Sequence, residues 1–228
     1  MRKEKDGLGE RLLPDEAYYG IQTLRAMENF AISDNTFAHY PNIVRAMAEI
    51  KKACALTNKE IGALPADIAD AIATACDEML AGRYPDQFPV NVFRGCGTSI
   101  NMNVNEVLGN RANELLTGHK GADRVHPNTH VNMCQSSNDV FPTAASLVLY
   151  RETGGLLDAL ATLEAAVRER MEALGPVVRI GRTCLQDAVP LTFGQSLSGY
   201  ASLLERTRAQ IAAFRKRSAT GILGATAV

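Results

Sequence analysis

Hydroxyl and amide side chains concentrate in three short runs of the sequence. They are Gly97-Thr98-Ser99-Ile100-Asn101-Met102-Asn103, Gln135-Ser136-Ser137-Asn138-Asp139 and Gly181-Arg182-Thr183-Cys184-Leu185-Gln186-Asp187. Such side chains can hold an anion without adding net charge. The first two runs stand directly before long apolar-periodic stretches that read as helices. A helix start carries unpaired N–H groups and a partial positive charge, so it attracts anions. A Ser or Thr there also caps the helix, which is worth ~1 kcal/mol. Both readings can hold at one helix start. Several such starts brought together would suit a small dicarboxylate.

The elements that must position these runs are helical. Pro41 opens a stretch in which Ile43, Val44, Met47, Ile50 and Cys54 recur at helical spacing, with Gly62 as its stop. Pro65 opens a second, with Ile68, Ile72, Ala75 and Met79 on one face and Gly82 past its end. Residues 1–40 read as loop with short helix, and 83–96 as irregular. A third helix runs from about Ser99 to Thr117. Its Asn101, Asn103 and Asn105 oppose helix propensity. They mark either an exposed polar face or a functional site, and the local conflict favours the second.

A fourth helix is predicted over 140–174, about 50 Å long, with Gly154-Gly155 as a possible bend. A fifth spans 191–219. Strand signals are weak, with only Val177 to Ile180 reading as extended. The expected fold is all-α: an N-terminal helical domain over 1–137, then the first long helices of a central bundle over 138–228. Helices this long need partners from several chains to bury their faces.

Composition excludes some classes. Net charge is −1, so no global field favours nucleic acid or a membrane surface. The basic cluster of Arg206, Arg208, Arg215, Lys216 and Arg217 reads as a solvated helix face. The five cysteines form no CxxC pair, which argues against a disulfide framework or a zinc site. Cys54 and Cys76 fall in apolar stretches and read as core. His126 and His130 have i,i+4 spacing, but no HExxH pattern accompanies them and Pro127 argues against a regular helix. No metal or cofactor is expected. No secretory signal or apolar run of ~18 residues is visible, so the expectation is a soluble, cytoplasmic protein.

Five stretches resemble the aspartase/class II fumarase superfamily, in the family's order. They are Ala17 to Arg25, Asp86 to Val90, Thr98 to Glu106, His126 to Asp139 and Gly181 to Pro190. The resemblance implies a homotetrameric lyase that carries out a β-elimination releasing fumarate, without a cofactor. By position, Thr98 and Ser99 correspond to substrate-binding residues of the family's first motif, and Ser136, Ser137 and Asn138 to the second. Thr183 and Cys184 correspond to the Thr-His pair of many members, and Cys184 departs from it. Thr129 departs from the Asp that fumarases carry in the His-Pro-Asn-x-His run of a second carboxylate site. In family members the first two motifs and the third come from different subunits. The family's serine base lies on a flexible loop that nothing in the 228 residues matches, so the resemblance places it beyond Val228. The chain therefore reads as the N-terminal part of such a lyase, inactive alone.

Within the family, Thr23-Leu24-Arg25 and Gly97-Thr98-Ser99 resemble the aspartase form, and Asp187-Ala188-Val189-Pro190 differs from the fumarase Asp-Ala-Thr-Pro. His126-Pro127-Asn128 and Ser198-Gly199-Tyr200 also occur in fumarases. The favoured reading is reversible deamination of L-aspartate, with class II fumarate hydratase as the alternative. A non-catalytic structural or assembly subunit is the alternative of another class.

Overall fold

The computed structural model describes residues 1–93 and 96–224, except for the Cys96 side chain. Three sequence readings fall outside that description: Cys96 as an unpaired thiol, the end of the 83–96 segment, and Val228 as the residue beyond which the serine base is expected. The chain divides into two compact units, Met1–Val148 with the segment that begins at Gly221, and Leu149–Thr220.

The first unit is a helical core with one hairpin. Helix α1 (Ile21–Asn29) is followed by α2 (Pro41–Glu60), α3 (Ala66–Leu80) and α4 (Cys96–Thr117). Their apolar faces meet: Met47 of α2, Ile72 and Ala75 of α3, and Ile100, Val104, Val107 and Leu108 of α4 are all fully buried. Pro41 opens α2 at a position where its missing N–H costs nothing. Gly62 and Gly82 follow α2 and α3 at φ of 75° and 83°, the left-handed conformation that ends helices. Cys76 is buried and Cys54 packs against the same core. Helix α5 (Ser137–Leu174) begins in this unit and runs unbroken through Gly154-Gly155.

The reading of 1–40 as loop with short helix misses a hairpin of β1 (Arg2–Asp6) and β2 (Gly9–Leu13), paired antiparallel. Its inward side is charged rather than apolar, so hydrophobic alternation is absent. Arg2 donates to the carbonyls of Pro14, Ala17 and Tyr19 at 3.2, 2.7 and 2.8 Å. Asp6 accepts two hydrogen bonds from Arg25 at 2.7 Å, and that guanidinium is the main reason its carboxyl is held below the usual range.

The second unit holds most of α5 and α6 (Phe193–Ser218), joined by a hairpin of β3 (Val178–Thr183) and β4 (Gln186–Thr192). The helices run antiparallel. Arg168 reaches Glu205 at 3.0 Å, Arg208 reaches Glu164 at 3.0 Å, and Arg215 stacks over the Tyr150 ring at 4.1 Å. Arg168 and then Arg208 hold the Glu164 carboxyl below the usual range. Part of the basic cluster thus pairs between helices, and Arg215, Lys216 and Arg217 occupy the last turn of α6, where cations oppose the helix dipole. Thr192 and Gln195 cap the start of α6 reciprocally. A Cβ on Gly194 would stand 3.1 Å from the Gly175 backbone, so the two glycines let this junction close tightly.

The strands extend beyond the expected Val177–Ile180 and pair across the two-residue turn Cys184-Leu185. Both turn residues have positive φ, 49° and 64°. Such turns favour Asn-Gly, because a Cβ costs about 1–2 kcal/mol there. Leu185 is 91% exposed, so its side chain contributes little packing. Leu185→Gly is therefore expected to stabilise the second unit by ~1 kcal/mol. Thermal denaturation reads this directly, and an unchanged or lower midpoint would count against turn strain.

Candidate functional site

Helix α4 organises the candidate site through its asparagines. Asn101, Asn103 and Asn105 are buried, which excludes the exposed polar face. Their Nδ2 groups reach outward to other segments. Asn103 donates to the Gln87 carbonyl at 2.8 Å, and Asn110, further along, to the Tyr18 carbonyl at 2.8 Å. Asn113 Oδ1 accepts from the Arg124 and Val125 N–H groups. Asn is a poor helix former but carries a donor and an acceptor on a short stem. Here that chemistry holds irregular segments against a helix.

Asn101 performs this at the start of α5. Its Nδ2 donates to Ser137 Oγ at 2.9 Å and to Asn132 Oδ1 at 3.0 Å. Asn105 Nδ2 reaches the same Asn132 oxygen at 3.3 Å, and Lys51 Nζ reaches it at 2.8 Å. Asn132 Nδ2 then donates to the Gln135 carbonyl at 2.9 Å. At the helix start itself, Ser136 Oγ accepts from the Asn138 N–H at 3.2 Å. The buried Asp139 carboxylate accepts from the Ser136 N–H at 3.0 Å.

Each predicted site residue now has a place. Thr98 and Ser99 lie in the first turn of α4, which begins at Cys96 rather than near Ser99. Thr98 is exposed and Ser99 half-buried. Ser136 precedes α5, and Ser137 and Asn138 occupy its first turn, with Asn138 exposed. The Asn101–Ser137 hydrogen bond ties the two helix starts together. Thr183 and Cys184 belong to the second unit, at the exposed β3–β4 turn. That third run sits on a hairpin, not at a helix start.

Sequence reasoning missed Lys51 and Asn132. Lys51 is fully buried on α2, one turn from Met47 and one from Ala55 on the same face. A lysine in line with core residues was the available signal. Burial pulls its ammonium down to about 7, opposed by Cys54, Cys76 and Asp139 nearby. Glu106 was the other omission. Its carboxylate accepts from the Gly20, Gln22 and Thr23 N–H groups at 2.9, 2.8 and 3.0 Å, while Glu4 accepts from Ile21 at 2.8 Å. The unpaired donors of the α1 start are thereby satisfied. Burial raises the Glu106 carboxyl despite these hydrogen bonds. A Cβ on Gly20 would stand 2.7 Å from the Glu106 carboxyl carbon, so a side chain there would push that carboxylate from its place.

His126 and His130 sit on a single wide turn, Pro127–Val131. His126 Nδ1 accepts from the Asn128 and Thr129 N–H groups, and His130 Nδ1 accepts from the His126 N–H. Burial, then His126 and Arg124, lowers the His130 imidazole. Among the described residues no three His, Cys, Asp or Glu side chains cluster as a metal site would require. An open groove of about 890 Å³ is lined by His126 and Asn128 together with Arg2, Lys5, Glu106 and Lys120. None of the seven predicted site residues lines it. No helix among the described residues is long and apolar enough to cross a membrane.

Comparison with known proteins follows the same outline. The family described as "Lyase" matches residues 9–228. The chain is 44% identical to the aspartate ammonia-lyase of Escherichia coli K12 over 231 residues, covering 100% of this chain and 48% of that protein. It is 47% identical to the class II fumarate hydratase of Halobacterium salinarum over 229 residues, covering 100% and 48%. The chain thus spans about half the length of the curated relatives it matches. Among solved structures, the native fumarate lyase:delta crystallin of Brucella melitensis superposes with a TM-score of 0.88 at 45% identity, covering 99% of this chain and 53% of that one. The class II fumarase of Schistosoma mansoni superposes with a TM-score of 0.89 at 41% identity, covering 100% and 48%. The chain therefore belongs to the family described as "Lyase", in keeping with its similarity to aspartate ammonia-lyases and class II fumarases.

Proposed function

We propose that the polypeptide carrying this chain is an ammonia-lyase that converts L-aspartate to fumarate and ammonia, reversibly. The observation that carries this reading is the link between two helix starts, where Asn101, in the second turn of α4, holds Ser137 in the first turn of α5. Thr98, Ser99, Ser136, Ser137 and Asn138 supply neutral donors there; the family resemblance implies that Thr183 supplies another to a site completed by a different subunit. In the reaction a base removes a proton from Cβ and the C–N bond then breaks. The intermediate is an aci-carboxylate with extra negative charge. Donors aimed at that charge lower the barrier, whereas uniform attraction would bind substrate and transition state alike. Cys184 replaces a stronger hydrogen-bonding partner, since a thiol donates and accepts weakly.

Aspartate is preferred over malate because Thr23-Leu24-Arg25 and Gly97-Thr98-Ser99 have the aspartase form. The 47% identity to a class II fumarate hydratase favours the second reading, hydration of fumarate. Following the absorbance of fumarate separates them. The whole polypeptide is expected to release fumarate from aspartate and to consume it only with ammonia present. Consumption of fumarate without ammonia would establish the second reading. Turnover of neither would leave a structural or assembly role. The 228-residue chain by itself is expected to give a flat trace, since no serine base loop is recognised in it up to Val228.

The reading includes a homo-oligomer. Leu156, Leu163, Tyr200 and Leu203 on the second unit's helices are between 47% and 61% exposed, more apolar surface than a solitary helix pair normally leaves open. Sedimentation of the whole polypeptide as a stable monomer would remove this part of the reading.

A further inference from the structure

A fully buried lysine calls for a reason beyond packing. Moving an ammonium from water into a core costs several kcal/mol, and a methionine of similar length would fill the space without that penalty. Lys51 stands on the core face of α2, yet its Nζ points to Asn132 Oδ1 at 2.8 Å. The charged or titratable groups that face it are Cys54 on α2, Cys76 on α3 and Asp139 on α5.

The hydrogen bonds beyond Asn132 have a direction. Its Oδ1 receives three donors, from Lys51, Asn101 and Asn105. Reversing the carboxamide would set its NH₂ against all of them, so Lys51 helps fix which end points inward. That orientation leaves one Asn101 Nδ2 proton for Asn132 and the other for Ser137 Oγ. Ser137 is therefore an acceptor on its inner side. A hydroxyl has one proton, and with an inner lone pair filled that proton is free to be donated outward. A carboxylate ligand needs a donor at that point.

We propose that Lys51 is a positioning residue of the carboxylate site: acting through Asn132 and Asn101, it holds Ser137 with its hydroxyl proton turned to the ligand. This rests on the reading of Ser137 as a carboxylate ligand. Lys51 touches no ligand itself. Its ammonium also adds a positive charge behind the site, one that is lost as the pH rises through about 7.

The test is the pH dependence of kcat/KM for aspartate in the whole polypeptide and its Lys51→Met variant. The variant is expected to fold and to lose about tenfold or more in kcat/KM. Its profile is expected to lack the decline near neutral pH that the parent shows. A folded variant within about twofold of the parent across the profile overturns the proposal while leaving the lyase reading intact. If Lys51→Met does not fold, Asn101→Ala cuts the same path closer to Ser137 and is expected to show a loss of similar size. Retained activity there overturns the proposal as well. A parent that turns over neither aspartate nor malate, and binds no succinate in calorimetry, overturns the site reading and this proposal together.

Discussion

Asn138→Ala in the whole polypeptide is expected to lower the turnover of aspartate about a hundredfold, equivalent to ~3 kcal/mol of transition-state stabilisation. Asn138 is exposed in the first turn of α5, and its own N–H is already occupied by Ser136 Oγ. Ser136 and Asp139 supply the local bonding of this helix start. Losing the Asn138 side chain should therefore cost about 1 kcal/mol of stability or less, the scale of a helix cap. The two effects separate in one experiment. A thermal melt reads the cap, and steady-state kinetics reads the donor. A variant that melts like the parent and deaminates aspartate at the parent rate would make Asn138 an ordinary surface residue.

Lys51→Met should have the opposite effect on stability from the one it has on catalysis. The Lys51 ammonium falls from its ordinary value near 10.5 to about 7 because burial disfavours the charged form. Between those values the unfolded chain binds the proton and the folded chain does not. Stability of the parent therefore rises with pH across that window, and the burial penalty is fully present below about 7. Replacing the amine with a methionine side chain should stabilise the protein by about 3 kcal/mol near pH 6. The gain should shrink towards zero near pH 10.5. Denaturation midpoints at the two ends of the range measure it. An equal gain at both ends would mean that the charge is not what Lys51 contributes. Asn132 Oδ1 keeps Asn101 and Asn105 as donors in the variant, so no acceptor is orphaned.

Much of the fold was legible because its helices are punctuated. Pro41, Gly62, Pro65 and Gly82 bracket α2 and α3, and the observed bounds fall within a residue or two of them. Helices α5 and α6 carry stripes long enough to be unambiguous, and their ends also fall within three residues of expectation. The two hairpins were harder for opposite reasons. β1 turns Arg2, Glu4 and Asp6 inward, so its period of two is written in charge. β4 is mostly exposed on both sides, so it has no buried side to alternate with an outer one.

The candidate site was legible in part. Its hydroxyls and amides stand out as a cluster, and the conflict between Asn101–Asn105 and helix propensity marked α4 as unusual. What the clash could not reveal was the partner of each asparagine. Asn132 lies 31 residues from Asn101, and Lys51 lies 81 residues from Asn132. A lysine in an amphipathic helix reads as solvent-facing unless its neighbours one turn away are counted as core. Glu106 has the same character: a carboxylate in a helix gives no hint that it serves another helix's donors.

The paired carboxylates at the start of α1 also bear on synthesis. The chain emerges from the ribosome amino-terminus first, yet α1 is nine residues long, too short to persist alone. Its first turn is completed by Glu106, which lies 86 residues downstream of Gly20. Closing a loop of that length costs about 4 kcal/mol in chain entropy beyond a constant. The earliest helix to be made is thus secured only after α2 and α3 have been made. Until α4 has left the exit tunnel, the amides of Gly20, Gln22 and Thr23 lack their acceptor and are open to whatever binds nascent chains. A co-translational pause before codon 106 would prolong that interval, and one placed after α4 would not.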